Sequence, residues 1–224
     1  MRDDTRGRPT VGGTSEAHAT LFRQLLSRVN DAGSRGVQLS AHMMTLYALA
    51  RRACGPIVEC GVGSGFSTLA LLAGAAEARL PVTSYDTRPE ARDAALRTIG
   101  YGPEDERLAH WTFHHKGSHE AAADWSDGTL GLFFLDTTHF YSETRRELDA
   151  WAPRLHRQGI MCGHDYLLHL DPIWRATGVK RAVDEFTAAS DGYDLIVHTR
   201  DHGLFILLPR DRVDVVAMPR APQR

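Results

Sequence analysis

The run Ile57-Val58-Glu59-Cys60-Gly61-Val62-Gly63-Ser64-Gly65 carries the most chemically suggestive spacing in the chain. An acid stands near the end of an apolar stretch, and glycines alternate after it. Glycine lets a backbone turn tightly and lets a ligand come close to it. Asp86 follows Gly65 by 21 residues, at the end of the next apolar stretch. That separation suits a carboxylate that grips ribose hydroxyls. The spacing is Gly-x-Gly-x-Gly, whereas a pyrophosphate turn reads Gly-x-Gly-x-x-Gly, and Glu59 would repel a pyrophosphate. An acid there suits a cationic ligand whose ammonium needs an acceptor. This favours the sulfonium S-adenosylmethionine over a nicotinamide dinucleotide, and so disfavours an oxidoreductase.

A second group lies further along, in Phe133-Phe134-Leu135-Asp136-Thr137-Thr138-His139 and Gly159-Ile160-Met161-Cys162-Gly163-His164-Asp165. Asp136 and Asp165 each close an apolar strand, so their carboxylates should emerge at the ligand face of the sheet. Carboxylates from neighbouring strand ends resemble the hard-cation sites used for magnesium. A cation there would hold a substrate oxygen and lower its pKa. His164 is a candidate third ligand, although imidazole suits zinc, iron or nickel better. His139 follows Asp136 by three residues, in the turn leaving the strand. It is the candidate general base, with an ordinary pKa of about 6.5. His42 and the His114-His115-His119 group are further candidates for lining a ligand pocket.

The elements that position these residues read as strand and helix in alternation from Pro56 onward. Apolar strands are expected at Ile57–Cys60, Val82–Asp86, Trp111–His114, Gly131–Asp136, Gly159–His164, Leu195–His198 and Leu204–Leu208. Helical segments are expected at Ser67–Ala78, Pro89–Ile99, Ser142–Leu155 and Val179–Ala189. Such alternation means βαβ units and a mostly parallel sheet. Asp201-His202-Gly203 signals a closing hairpin, so the seventh strand returns antiparallel. Two helices, about 15–30 and 41–53, precede the wound unit. Residues 1–13 read as a mobile tail, 14–208 as a single domain and 209–224 as a C-terminal tail.

A chain of 224 residues can bury one sizeable core. Its formal net charge is −2, with scattered arginines and lysines only at Lys116 and Lys180, so no basic field points to nucleic acid or to an anionic membrane. No apolar run is long enough to span a bilayer. Three cysteines without a close pair or a leader argue against a disulfide framework. A cytoplasmic protein with a small-molecule substrate is the expectation, and a homo-oligomer stays open.

Glu59–Gly65 and Ser84-Tyr85-Asp86 resemble the first two motifs of the class I methyltransferases. The segments from Phe133 to Tyr141, from Gly159 to Tyr166 and from Val179 to Phe186 are similar to the class I family that includes cephalosporin-hydroxylase-like proteins and macrolide sugar O-methyltransferases. The resemblance covers about residues 38–208. It implies a Rossmann-like α/β fold with a seven-stranded sheet, and S-adenosylmethionine contacts at Glu59, Gly61, Gly63, Asp86 and, on the adenine side, Ser118. Asp136 borders both cofactor and cation. It also implies a divalent cation, usually magnesium, on Asp136 and on an acidic pair whose second member is Asp165 and whose first is replaced by His164. Catechol-type relatives place a basic Lys at the offset of His139. The reading reached is a cation-dependent O-methyltransferase of a small-molecule hydroxyl, a sugar or phenol of secondary metabolism. A cation-independent N- or C-methyltransferase, or a non-catalytic S-adenosylmethionine-binding partner subunit, are the alternatives.

Overall fold

Seven apolar runs pair into one sheet in the computed structural model, which describes residues 13–34, 39–173, 176–200 and 202–211. Two helices come first, α1 (Gly13–Ser34) and α2 (Leu39–Ala50). The wound unit follows as β1 (Ile57–Cys60), α3 (Phe66–Ala78), β2 (Val82–Asp86), α4 (Ala91–Ile99), β3 (Trp111–His115), α5 (Ser118–Asp124), β4 (Leu130–Leu135), α6 (Tyr141–Trp151), β5 (Leu155–Gly163), α7 (Val179–Ala189), β6 (Tyr193–His198) and β7 (Leu204–Pro209). The strand order is β3-β2-β1-β4-β5-β7-β6. The strands β1 to β5 pair in parallel, and β7 lies antiparallel between β5 and β6. The chain therefore reverses its winding direction at β1 and β4, where the crevice of an open α/β sheet forms.

Period-two alternation sends successive side chains to opposite faces. Ile57, Leu132, Phe134, Ile160 and Cys162 pack with α1 to α4, whereas Val58, Phe133, Leu135 and Met161 pack with α5 to α7. Both faces are covered, which is why β1 and β4 are fully buried and, Glu59 apart, carry no polar side chain. Trp151 anchors the second layer. Its ring stacks on Phe133 at 4.9 Å, and its Nε1–H donates to Ser118 Oγ at 3.0 Å.

The strand ends differ slightly from expectation. β4 stops at Leu135 and β5 at Gly163, so Asp136 and Asp165 lie on the loops just beyond them. β5 begins at Leu155 because a register irregularity opposite Leu130 and Leu132 admits extra residues. The short α5 has no apolar period long enough to announce it. Helix α1 already begins at Gly13; the rest of the expected N-terminal tail, and residues 212–224 of the C-terminal one, lie outside the described residues. No described helix is long and apolar enough to cross a membrane.

Candidate active site

The turn after β1 is built on glycines with positive φ. Gly61 (φ +91°) has no room for a side chain: a Cβ would stand 1.8 Å from the Asp136 carbonyl oxygen. Gly65 (φ +84°) would press a Cβ to 2.3 Å from Ala95 Cα. These positions fix the approach of β1 to β4 and of α3 to α4. Gly63 differs, since a Cβ there would meet nothing within 4 Å. The space over it is open.

Glu59 is fully buried beneath this turn. It accepts hydrogen bonds from the hydroxyls of Ser67 at 2.6 Å, Thr68 at 2.8 Å and Ser84 at 2.6 Å. Burial pushes its pKa up to about 7, against the lowering effect of the hydroxyls. The carboxylate expected to meet an ammonium is thus engaged within the protein, and it does not line the adjacent cleft.

That cleft encloses about 460 Å³ at the carboxyl ends of β1, β2 and β4. Four residues singled out in the sequence, Gly61, Asp86, Ser118 and Asp136, line it, and Gly63 does not. Asp86 accepts from the backbone N–H groups of Val62 (2.9 Å), Gly63 (3.2 Å) and Arg88 (2.8 Å), and from the Arg88 guanidinium. Burial alone would raise its pKa, but these donors outweigh burial and hold it below the usual carboxylate range. Lys116 and His119 also border the cleft, while His114 stacks on Tyr85 at 5.3 Å.

Sequence reasoning missed Glu147. This buried acid on α6 lines the cleft and accepts from Thr137 Oγ1 at 2.9 and 2.8 Å. Burial lifts it to about 7. Its signal was an acid on the same helical stripe as Thr144, Leu148 and Trp151. Glu59 and Glu147 both hold protons more tightly when folded than at their ordinary 4.5. The stability they gain by protonation is present below about pH 4.5 and is lost as pH rises through about 7. His42, held neutral by burial, opposes them only below about pH 6.5. The melting temperature of the ligand-free protein is therefore expected to fall between about pH 6.5 and 8, with a slope of up to about 1.4 kcal/mol per pH unit for each carboxyl. Glu59→Gln with Glu147→Gln should flatten the curve, and an unchanged slope in that double variant would contradict the assignment.

Beside the cleft, Asp136, His139 and Asp165 bring one ligand atom each to within 4.8 Å of one another. His139 Nε2 lies 2.8 Å from Asp165 Oδ2 and 4.0 Å from Asp136 Oδ1. The His139 carbonyl accepts from Gly178 N–H at 2.8 Å, which anchors the turn that carries the ring. Burial, then the nearby Asp165 charge, raises the Asp136 pKa, with His164 and His139 acting the other way. Burial would also raise Asp165, but hydrogen bonds from His139 and His164 outweigh it and lower its pKa. The Asp165 hydrogen bond raises His139.

The third sequence-derived ligand candidate, His164, lies outside this grouping. His164 stands beside it, with Nδ1 3.0 Å from Asp165 Oδ1 and Nε2 3.0 Å from His42 Nδ1. His42, a candidate for reaching substrate, is 1% exposed and faces His164 and His198. Phe140 is largely exposed next to the trio, while the Tyr141 hydroxyl is tied to Glu185.

Residues 58–166 match the sequence profile of a methyltransferase domain. No curated protein matches the chain by sequence. Among solved structures, the O-methyltransferase TomG of Streptomyces achromogenes, involved in tomaymycin synthesis and bound to S-adenosylmethionine, aligns with a TM-score of 0.63 at 15% identity, over 83% of this chain and 89% of its own. The O-methyltransferase of Bacillus cereus, in complex with S-adenosylhomocysteine, gives 0.58 at 16% identity over 85% and 90%. The Podospora anserina methyltransferase PaMTH1, also bound to S-adenosylhomocysteine, gives 0.60 at 18% over 87% and 88%. At these identities the likeness is one of fold.

Proposed function

We propose that the chain, whose residues 58–166 match a methyltransferase-domain profile, is an S-adenosylmethionine-dependent methyltransferase, and more closely a divalent-cation-dependent O-methyltransferase of a small-molecule hydroxyl. The observation that carries this reading is the trio Asp136, His139 and Asp165, of which Asp136 also lines the cleft. The donor set fits a cation. Asp136 and Asp165 supply the hard oxygen ligands that magnesium or manganese prefers. Bound there, the cation would polarise the substrate hydroxyl and lower its pKa.

The chain's own residues do the rest. Asp86 and the open space over Gly63 would receive the cofactor's ribose and amino acid, and the cleft acids suit a cationic sulfonium. His139 Nε2 would take the hydroxyl proton. In the cation-free protein that nitrogen is held by Asp165, and neutralising the Asp165 charge lowers the imidazole's affinity for its proton. The resulting oxyanion attacks the methyl carbon in line, and the sulfur leaves with its electron pair as S-adenosylhomocysteine. The electrophile arrives already activated, so orientation supplies much of the rate. The acceptor proposed is a phenol or a sugar of secondary metabolism; TomG, which shares the fold, is involved in tomaymycin synthesis.

Calorimetry tests the cofactor assignment. Wild-type protein should bind S-adenosylhomocysteine, and Gly63→Val should abolish binding by filling the open approach. The valine also meets a left-handed backbone, at a cost of about 1–2 kcal/mol in stability. Tight binding of a nicotinamide dinucleotide with no response to either adenosyl ligand would sink the assignment.

A further inference from the structure

Asp165 is a non-glycine residue with φ +65°, a conformation uncommon for L side chains that aspartate tolerates better than most. Its carboxylate is gripped from two sides, Oδ2 by His139 at 2.8 Å and Oδ1 by His164 Nδ1 at 3.0 Å. Beyond His164 the contacts continue away from the site. His164 Nε2 lies 3.0 Å from His42 Nδ1, and His42 Nε2 lies 3.2 Å from His198 Nδ1. The rings meet edge-on, at 76° and 83°. These imidazoles form a line rather than a shell around one point, and they do not appear as a metal-holding group among the described residues. The line joins α2 to the end of β5 and to β6.

His42 is 1% exposed, and a polar ring buried so deeply is costly unless hydrogen-bonded. Burial first, then the flanking His164 and His198, push it down to about 3, so it stays neutral; the Arg200 backbone also hydrogen-bonds to it. An ionised carboxylate can only accept, so the proton between Asp165 and His164 belongs on His164 Nδ1.

We propose that His42 is a positioning residue: from α2 it holds His164 by Nε2, which keeps His164 Nδ1–H on Asp165 Oδ1 and so fixes the carboxylate that faces His139. The bearing of this on cation binding rests on the functional reading above. Outer partners of this kind orient the groups that touch a metal, and their loss typically weakens metal binding about 10–100-fold.

Two measurements test it. Nitrogen-15 spectra of the imidazoles in cation-free protein should show His164 protonated at Nδ1 in the wild type, and a loss of that fixed pattern in His42→Phe. Electron paramagnetic resonance titration with Mn²⁺ should show weaker binding in His42→Phe, by up to about tenfold because His42 acts one contact beyond the partner of Asp165, with S-adenosylhomocysteine affinity unchanged. His42→Asn should recover most of the Mn²⁺ affinity, because its amide can donate or accept where Nδ1 stood. A folded His42→Phe with wild-type Mn²⁺ affinity and an unchanged His164 pattern would overturn the proposal, as would wild-type His164 bare at Nδ1. Should the Phe variant not fold, His42→Asn against His42→Gln decides: the longer amide misplaces its polar atoms and should bind Mn²⁺ more weakly, and equal affinities count against His42. If wild-type protein binds no Mn²⁺, the cation reading falls by itself, and the nitrogen-15 pattern alone then decides the role of His42.

Discussion

His139→Ala is expected to lower kcat by about 10²–10⁴-fold while leaving S-adenosylhomocysteine affinity nearly unchanged. The ring stands on an anchored turn, partly exposed, with Nε2 directed at Asp165 and near Asp136, beside the cleft where the cofactor would lie. The pH–rate profile should lose its acidic limb, because that limb reports protonation of the base. The same loss of kcat would follow if His139 served instead as a cation ligand, so Mn²⁺ affinity must be measured alongside. A base leaves that affinity close to wild type, and a ligand does not. Near-normal kcat with an unchanged profile would eliminate His139 as the base.

Asp136→Asn is expected to abolish cation-dependent turnover while the protein melts at the wild-type temperature or above it. Burial and the like charge of Asp165 both penalise an ionised Asp136. An amide of the same shape removes that penalty and, with it, an oxygen ligand of full charge. Wild-type activity should vanish with a chelator and return with magnesium or manganese. Full activity after exhaustive chelation would refute the cation.

The cofactor turn was legible in the sequence because its demands are local: Gly61 and Gly65 must be glycine for the backbone to turn and for neighbouring elements to approach. Asp136 and Asp165 were legible because parallel strands end at the ligand face, so an acid just after an apolar run is placed by topology. What escaped depended on distant or rotameric facts. His164 looked like a ligand because it adjoins Asp165 in sequence. Its ring is engaged at both edges, Nδ1 with Asp165 and Nε2 with His42. Its partner His42 lies 122 residues away, a pairing that no local pattern announces. Glu147 was hidden because charged neighbours, Glu143 and Arg146, surround it in sequence, and only packing shows that it turns inward. The clasp of Arg88 on Asp86 depends on a side-chain rotamer, which spacing does not encode.

Gly61 and Asp136 stand side by side, one residue beyond the last rung that pairs β1 with β4. Asp136 N–H donates to the Cys60 carbonyl at 2.8 Å, Gly61 N–H donates to the Tyr85 carbonyl at 2.9 Å, and the backbones of Gly61 and Asp136 touch where a side chain would otherwise stand. On the reading proposed here, the donor's seat and the acceptor's anchor are therefore one stiff fitting, with no hinge between them. The gap that a methyl group must cross is gauged by the scaffold before either molecule arrives. New acceptors can then be accommodated by changing exposed positions beside the trio, such as Phe140, without recalibrating the transfer itself. That separation of reach from recognition would let one frame serve many hydroxyls.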